Sequence, residues 1–192
     1  MTIAPTSGPS AYWNKRVFAF ILSLLLGASA LASAPEALAP GMPAPPFSTA
    51  RLDGGTVTLE SLRGRVVLLN FWAVGCPPCR IEMPELEKIH RRYSGRGLQV
   101  LGVTEMNPER DEVARAVAEI GVTYPVLLDP DARIGALYGI EAHPTSVVID
   151  VRGLVRFVNA GYLRGEERGI ERAIRKALAG VERSGASHGG KP

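Results

Sequence analysis

An apolar run near the middle of the chain most constrains its fold. Residues 66–72 read VVLLNFW, with only Asn70 polar, and they follow the turn former Gly64. Such a run is typical of a strand that is buried on both faces, which requires strands on each side of it and helices covering the sheet. The segment therefore predicts the central strand of an α/β domain.

The rest of the body alternates between strand and helix patterns. Apolar spacing and turn residues predict a hairpin in 51–59, strands at 98–103 and 126–128, a second hairpin of 145–149 with 154–158, and helices at 80–93, 108–120, 131–138 and 166–181. This order predicts a central mixed β-sheet with helices on both faces, in one domain of about 140 residues.

The N-terminus has the pattern of an export signal. Lys15 and Arg16 precede an apolar stretch at 17–28, and small residues follow at 29–34. Residues 1–34 are predicted to be a signal peptide, cut most simply after Ala30. If uncut, 17–34 supplies 18 uncharged residues, enough for an N-terminal membrane anchor. Both outcomes predict an extracytoplasmic domain, in the bacterial periplasm or on the outer face of the cytoplasmic membrane.

Composition defines the remaining boundaries. The proline-rich residues 35–46 predict an extended tether, residues 47–182 the folded domain, and the polar, Gly-rich residues 183–192 a flexible tail. The chain has 22 Lys and Arg against 19 Asp and Glu, a net charge of +3, and two of the bases lie in the leader. The body is therefore close to neutral, which gives no indication of a nucleic-acid partner.

The only two cysteines stand where thiol chemistry is favoured. Cys76 and Cys79 follow the buried strand and open the next helix, where unpaired backbone N–H groups and the helix dipole favour a thiolate. Cys76 is the predicted nucleophile, and Cys79, one turn further in, would resolve a mixed disulfide. The pair therefore predicts a redox-active disulfide.

The two residues between the cysteines bear on the direction of electron flow. Pro77 and Pro78 have no N–H to donate to a thiolate, and only Arg80 adds nearby positive charge. A less stabilised reduced form is a better reductant, so the motif predicts a protein-disulfide reductase.

Two segments carry a family resemblance. Residues 70–84 (NFWAVGCPPCRIEMP) and 144–150 (PTSVVID) resemble the thioredoxin superfamily, and more specifically the TlpA/ResA-like membrane-anchored thiol-disulfide oxidoreductases, which include the CcmG-type proteins of cytochrome c maturation. The resemblance covers about 41–180. It implies a thioredoxin-like fold with a strand-helix insert at 98–121, no cofactor, disulfide-bearing protein substrates such as apocytochrome c, and a membrane thiol-transferring reductase as electron donor.

The resemblance also implies site residues. Pro144 would be cis and lie beside the cysteines, leaving the backbone of His143 free to pair with substrate. Glu82 would accept the proton of Cys79, although a first-turn acid can also simply favour the helix dipole. His143 could equally be a solvent-facing loop residue. Trp72 is expected to pack beside the site, with substrate contact as a second role.

Two positions depart from the family pattern. The family often has a second Trp just before the first cysteine, where this chain has Gly75, which predicts a more open rim. Asn70 stands where cytosolic thioredoxins have a buried Asp, and an amide cannot take a proton. The acid-base role would then pass to another residue, for which Glu82 is the candidate.

Two other functions remain open from the sequence. A copper- or zinc-handling protein could use both cysteines with His90, His143 or His188, although a second spaced pair is absent and Sco-like carriers have three residues between their cysteines. A thiol peroxidase shares the fold, but its Thr three residues before the cysteine is Ala73 here. No resident metal is predicted.

Overall fold

The computed structural model describes residues 38–105 and 108–186, with side chains described as far as 180. The leader 1–34 and most of the predicted tail lie outside these residues. Within them, no helix is both long enough and apolar enough to cross a bilayer.

The elements follow the predicted order. The strands are β1 (Ser48–Ala50), β2 (Thr56–Thr58), β3 (Val66–Ala73), β4 (Leu98–Glu105), β5 (Val126–Leu128), β6 (Thr145–Ile149) and β7 (Val155–Ala160), and the α-helices are α1 (Pro77–Tyr93), α2 (Arg110–Ile120), α3 (Arg133–Leu137) and α4 (Glu167–Ala186). Helix α4 includes the first four residues of the predicted tail.

The main sheet has the strand order β5-β4-β3-β6-β7. Strand β3 pairs in parallel with β4 and antiparallel with β6, and all eight of its residues are buried, which confirms the central strand. Successive side chains alternate between two cores. Leu68 and Trp72 pack with residues of α1, α2 and α4, whereas Leu69 and Phe71 pack with α3 and the N-terminal hairpin β1-β2.

Helix α1 begins three residues before the predicted start. Pro77 and Pro78 occupy its first turn, where backbone N–H groups have no intrahelical partner, so the missing donors cost no helix hydrogen bond. The helix then continues through Pro84 to Tyr93. Cys76, as the N-cap, consequently lies at the end of the sheet where β3 ends.

Residues 41–46, predicted as part of a tether, are packed on the domain. Gly41 N donates to Val155 O (2.8 Å), Val155 N to Met42 O (2.9 Å) and Ala44 N to Gly153 O (2.9 Å). An extended, proline-rich backbone can lie along a strand, because its non-proline residues still donate. The domain therefore starts near residue 41 rather than 47. Gly153 belongs to the turn that joins β6 to β7, next to the start of β3. The chain therefore enters the domain at the end of the sheet opposite Cys76.

Candidate functional site

The two cysteines form a disulfide with unequal exposure. Cys76 and Cys79 are bonded, with their Cα atoms 5.4 Å apart. The Cys76 residue is partly exposed at the end of the sheet, whereas Cys79 is completely buried against the core under α1. An incoming thiol or disulfide can therefore reach Cys76 but not Cys79.

Few groups are available to stabilise negative charge on Cys76. The N–H of Cys79 donates to Cys76 Sγ at 3.3 Å, and the two intervening prolines have no N–H to add. The guanidinium of Arg80, the one cation that the sequence places beside the motif, bonds to Glu119 at 3.0 Å. The surroundings therefore favour a thiolate on Cys76 only modestly.

The turn from β3 into α1 explains one departure from the family pattern. Gly75 is exposed and has φ +80°, a conformation that residues with a side chain rarely adopt. A Trp at this position would be strained with this backbone. The edge of the site beside Cys76 consequently carries no side chain.

A buried carboxyl group lies one helical turn beyond Cys79. Glu82 is 0% exposed. Asn70 Nδ2 donates to Glu82 Oε2 at 2.6 Å and Ser146 Oγ donates to Glu82 Oε1 at 3.1 Å. Residues three apart on a helix share a face, so Glu82 and Cys79 both point into the core between α1 and the sheet. Asn70 thus does not itself act as an acid, as the Asp of cytosolic thioredoxins would, but hydrogen-bonds the carboxyl group of Glu82.

Burial sets the protonation of Glu82. Loss of water around the carboxyl raises its pKa from 4.5 to about 7, and the hydrogen bonds from Asn70 and Ser146 oppose this rise. A carboxyl with this pKa is half ionised near neutral pH. It can therefore both accept and return a proton under ordinary conditions.

The peptide bond between His143 and Pro144 is cis, as the resemblance implies. The surrounding loop is fixed by hydrogen bonds from Thr145 Oγ1 to Ala142 O and from Gly161 N to Pro144 O, both 2.7 Å long. Among the described residues, the backbone N–H and C=O of His143 have no hydrogen-bond partner. These two groups are free to pair with an extended chain.

The residue that holds His143 is Glu105, which no sequence pattern predicted. Glu105, the last residue of β4, hydrogen-bonds His143 Nε2 through Oε2, and only 5% of its side chain is exposed. It pairs with Ala73 in the parallel register of β3 and β4. Burial raises the pKa of Glu105, and the His143 bond opposes that rise. The sequence feature that could have indicated Glu105 is an acidic residue directly after an apolar strand pattern.

Trp72 lies where substrate cannot contact it. Its residue is 1% exposed, and it packs in the core shared with α1. Even-numbered residues of β3 face this core, so the side chain points inward and not towards the rim. This corrects the predicted contact role, and Trp72 acts in packing.

The histidines proposed as metal ligands lie apart from the cysteines. The ring of His90 packs against Tyr124 at 5.9 Å, His143 bonds Glu105, and His188 lies outside the described residues. Across residues 38–105 and 108–186, no three His, Cys, Asp or Glu side chains form a group that could hold a metal ion. The described residues give the metal-handling alternative no support.

The site can be compared with known proteins. Residues 40–158 match the model of the AhpC/TSA family. The thioredoxin-like protein YneN of Bacillus subtilis is 36% identical over 129 residues, which cover 66% of this chain and 75% of YneN. The thiol-disulfide oxidoreductase ResA of Halalkalibacterium halodurans is 32% identical over 153 residues, covering 78% of this chain and 86% of ResA.

Solved structures give the same result. A thiol:disulfide interchange protein of the thioredoxin family from Chlorobium tepidum superposes with a TM-score of 0.63 and 33% sequence identity. The match covers 74% of this chain and 99% of that one. The fold of this chain is thus similar to that of a known thiol-disulfide interchange protein.

Proposed function

The chain belongs to the AhpC/TSA family and is a thiol-disulfide oxidoreductase of the ResA type, and from this premise we propose that it is an extracytoplasmic reductase of protein disulfides. The observation that carries the direction of the reaction is the N-terminus of α1. There the sulfur of Cys76 accepts one backbone N–H, and the prolines that follow supply none. A weakly stabilised thiolate corresponds to a reducing dithiol.

The first half of the reaction takes place at Cys76. In the reduced protein, the Cys76 thiolate attacks one sulfur of the substrate disulfide, whose S–S bond breaks. A mixed disulfide forms, and the second substrate sulfur leaves as a thiolate that takes a proton from water. An extended substrate segment pairs with the free N–H and C=O of His143, beside Pro144.

The second half takes place under α1. Glu82 accepts the proton of Cys79, and the resulting thiolate attacks Cys76 Sγ. The mixed disulfide breaks, the substrate sulfur leaves as a thiolate that takes a proton from water, and Cys76 and Cys79 are left joined. Two electrons have passed from the protein dithiol to the substrate, and an external dithiol must return them.

Location and partners follow from the leader and the resemblance. A basic pair before an apolar stretch supports export or anchoring at residues 1–34, on the outer side of the cytoplasmic membrane. We assign cytochrome c maturation as the pathway, with apocytochrome c as a substrate and a membrane thiol-transferring reductase as electron donor. The sequence resemblance to TlpA/ResA-like and CcmG-type proteins, together with the similarity to ResA, supports this assignment.

The redox equilibrium of the full chain tests the direction. The protein would be titrated in thiol buffers, with alkylation and mass counting at both cysteines. A reduction potential near or below about −270 mV, the value for thioredoxin, supports a reductase. A potential near about −120 mV, the strongly oxidising end, would contradict it. A Cys79→Ser variant would then trap substrates as mixed disulfides for identification.

A further inference from the structure

A hydrogen bond between a buried carboxyl group and a partly buried histidine lies at the end of the central strand, beside the disulfide. Glu105 is the register partner of Ala73 on one side of β3, and Thr145 pairs with Phe71 on the other. His143 lies two residues before Thr145, in the loop that precedes β6. The contact between Glu105 and His143 therefore joins the end of β4 to this loop.

The Glu105 carboxylate occupies space that is open because residue 135 is glycine and has no side chain. A methyl group at Gly135, in α3, would overlap Glu105 Oε1 and lie 2.7 Å from Cδ. The neighbouring acid, Asp129, uses Oδ2 to accept from the N–H groups of Ile134 (2.9 Å) and Gly135 (3.0 Å), so it is already bonded. Among the described residues, His143 is the only hydrogen-bond partner of the Glu105 side chain.

The backbone N–H and C=O of His143 have no hydrogen-bond partner among the described residues. The side chain is thus fixed while the backbone is free. A residue held in this way presents its peptide groups in one orientation, which lowers the entropy lost when an extended chain binds.

We propose that Glu105 is a positioning residue for substrate: by holding the imidazole of His143, it orients the backbone segment on which the disulfide-bearing chain of a protein substrate docks. This inference rests on the proposed use of the His143 segment in binding. It gives Glu105 no part in the chemistry at sulfur. Loss of the Glu105 carboxylate should therefore impair large, extended substrates and spare small disulfides that need no strand pairing.

The test uses the full chain carrying Cys79→Ser, which stops the reaction at the mixed disulfide. Second-order rate constants for Cys76 would be measured with insulin, a protein disulfide, and with oxidised glutathione, a small one. The ratio of the two constants is the readout. Adding Glu105→Gln should lower the ratio about tenfold, because the neutral amide holds the imidazole by a weaker hydrogen bond than the carboxylate does. His143→Ala should lower it similarly, and the two changes together no further.

The control is Glu171→Gln, which removes a different carboxylate, bonded to Arg92 and Tyr93 at the far end of α1. Its ratio should equal that of the parent. An unchanged ratio in Glu105→Gln would overturn the proposal, as would equal slowing with both disulfides or additive effects in the double variant. The reduction potential of the chain with both cysteines tests the proposed function separately, since mixed-disulfide formation can be measured whether the protein is a reductant or an oxidant.

Discussion

Glu82 shows how one residue can couple chemistry to stability. The carboxyl group is buried, and its two hydrogen-bond donors, Asn70 and Ser146, do not compensate fully for the loss of water. A group with these surroundings is neutral at low pH and must carry an unfavourable buried charge at high pH. Burial of the carboxyl group therefore has two effects: it raises the pKa of Glu82 into the range useful for proton transfer, and it lowers the stability of the folded protein when Glu82 is ionised.

Glu82→Gln should stabilise the protein at alkaline pH. The pKa of Glu82 is about 7 in the folded protein and 4.5 in the unfolded chain, so the folded parent binds more protons between these values and loses stability as the pH rises through them. The free energy of unfolding of the variant, relative to the parent, should grow by about 3 kcal/mol from acidic to alkaline pH. Urea titrations at about pH 4 and pH 8 measure this difference.

The same variant should be slow in resolving mixed disulfides. The rate of the unsubstituted protein should have an inflection near pH 7, and the rate of the variant should lack it. Glu85→Gln is the matched control, because Glu85 lies on the same helix but bonds Lys88 at the surface. A parental pH profile in Glu82→Gln would exclude Glu82 as the proton acceptor.

Site residues that lie close to the cysteines in sequence could be predicted. The residues on other strands that contact them could not. Glu82 was identified from the family resemblance, together with its position three residues after Cys79. Asn70 was noted only as a missing acid, and Ser146 was not identified, because their contact with Glu82 depends on the pairing of β3 with β6. Glu105 was missed for a similar reason. Its position beside His143 follows from the parallel register with β4, which no local pattern encodes.

At the scale of a secondary-structure element, the start of α1 determines the electrostatics of the sulfur. An N-cap side chain accepts from the second or third N–H of its helix. Here the third, from Cys79, is present, whereas the second belongs to Pro78 and is missing. The helix therefore offers Cys76 half of the donors that an ordinary sequence would supply.

Pro78→Ala should make the protein more oxidising. The change restores the second N–H, and one further hydrogen bond to the thiolate should raise the reduction potential by about 30 mV. Pro77→Ala is the control, since the first N–H of a helix does not face the N-cap side chain. Thiol-buffer titration of both variants measures the effect. Equal potentials in the two would show that the missing donor is not what sets the reducing character.

The elements themselves were largely predictable. All predicted helices and all predicted strands of the main sheet are present, because apolar periodicity distinguishes buried strands from amphipathic helices. The N-terminal hairpin also forms, but its first strand lies at Ser48–Ala50, before the predicted range 51–59. The errors are at the ends. Because of Pro77 and Pro78, the start of α1 was predicted three residues too late, although the first turn of a helix tolerates proline. Strand β4 runs two residues beyond its predicted end at Val103, and those residues bring Glu105 to the site.

At the scale of the whole molecule, the domain has two distinct poles. The chain enters beside the turn between β6 and β7, where Gly41 and Ala44 bond to Val155 and Gly153. The disulfide lies at the other end of α1, whose 17 residues span roughly 25 Å. Stability at the entry pole and reactivity at the disulfide pole should therefore respond to different changes.

Two truncated chains test this separation. A chain that begins at Phe47 loses the hydrogen bonds of residues 41–46, including that from Tyr138 to Pro45 O, whereas one that begins at Pro35 keeps them. The shorter chain should be less stable by about 2 to 4 kcal/mol, from four hydrogen bonds, as measured by urea unfolding. Both should have the same reduction potential. A different potential would mean that the entry segment influences the disulfide.

The unequal exposure of the two sulfurs has a kinetic consequence. Because Cys79 is buried, the electron donor must enter through Cys76, the same atom that the substrate uses. The two partners therefore cannot be bound productively at once, and turnover should follow ping-pong kinetics, with parallel lines in double-reciprocal plots. Excess donor should inhibit competitively with substrate. The flow of electrons through this protein would thus be limited by the time that each partner occupies a single sulfur.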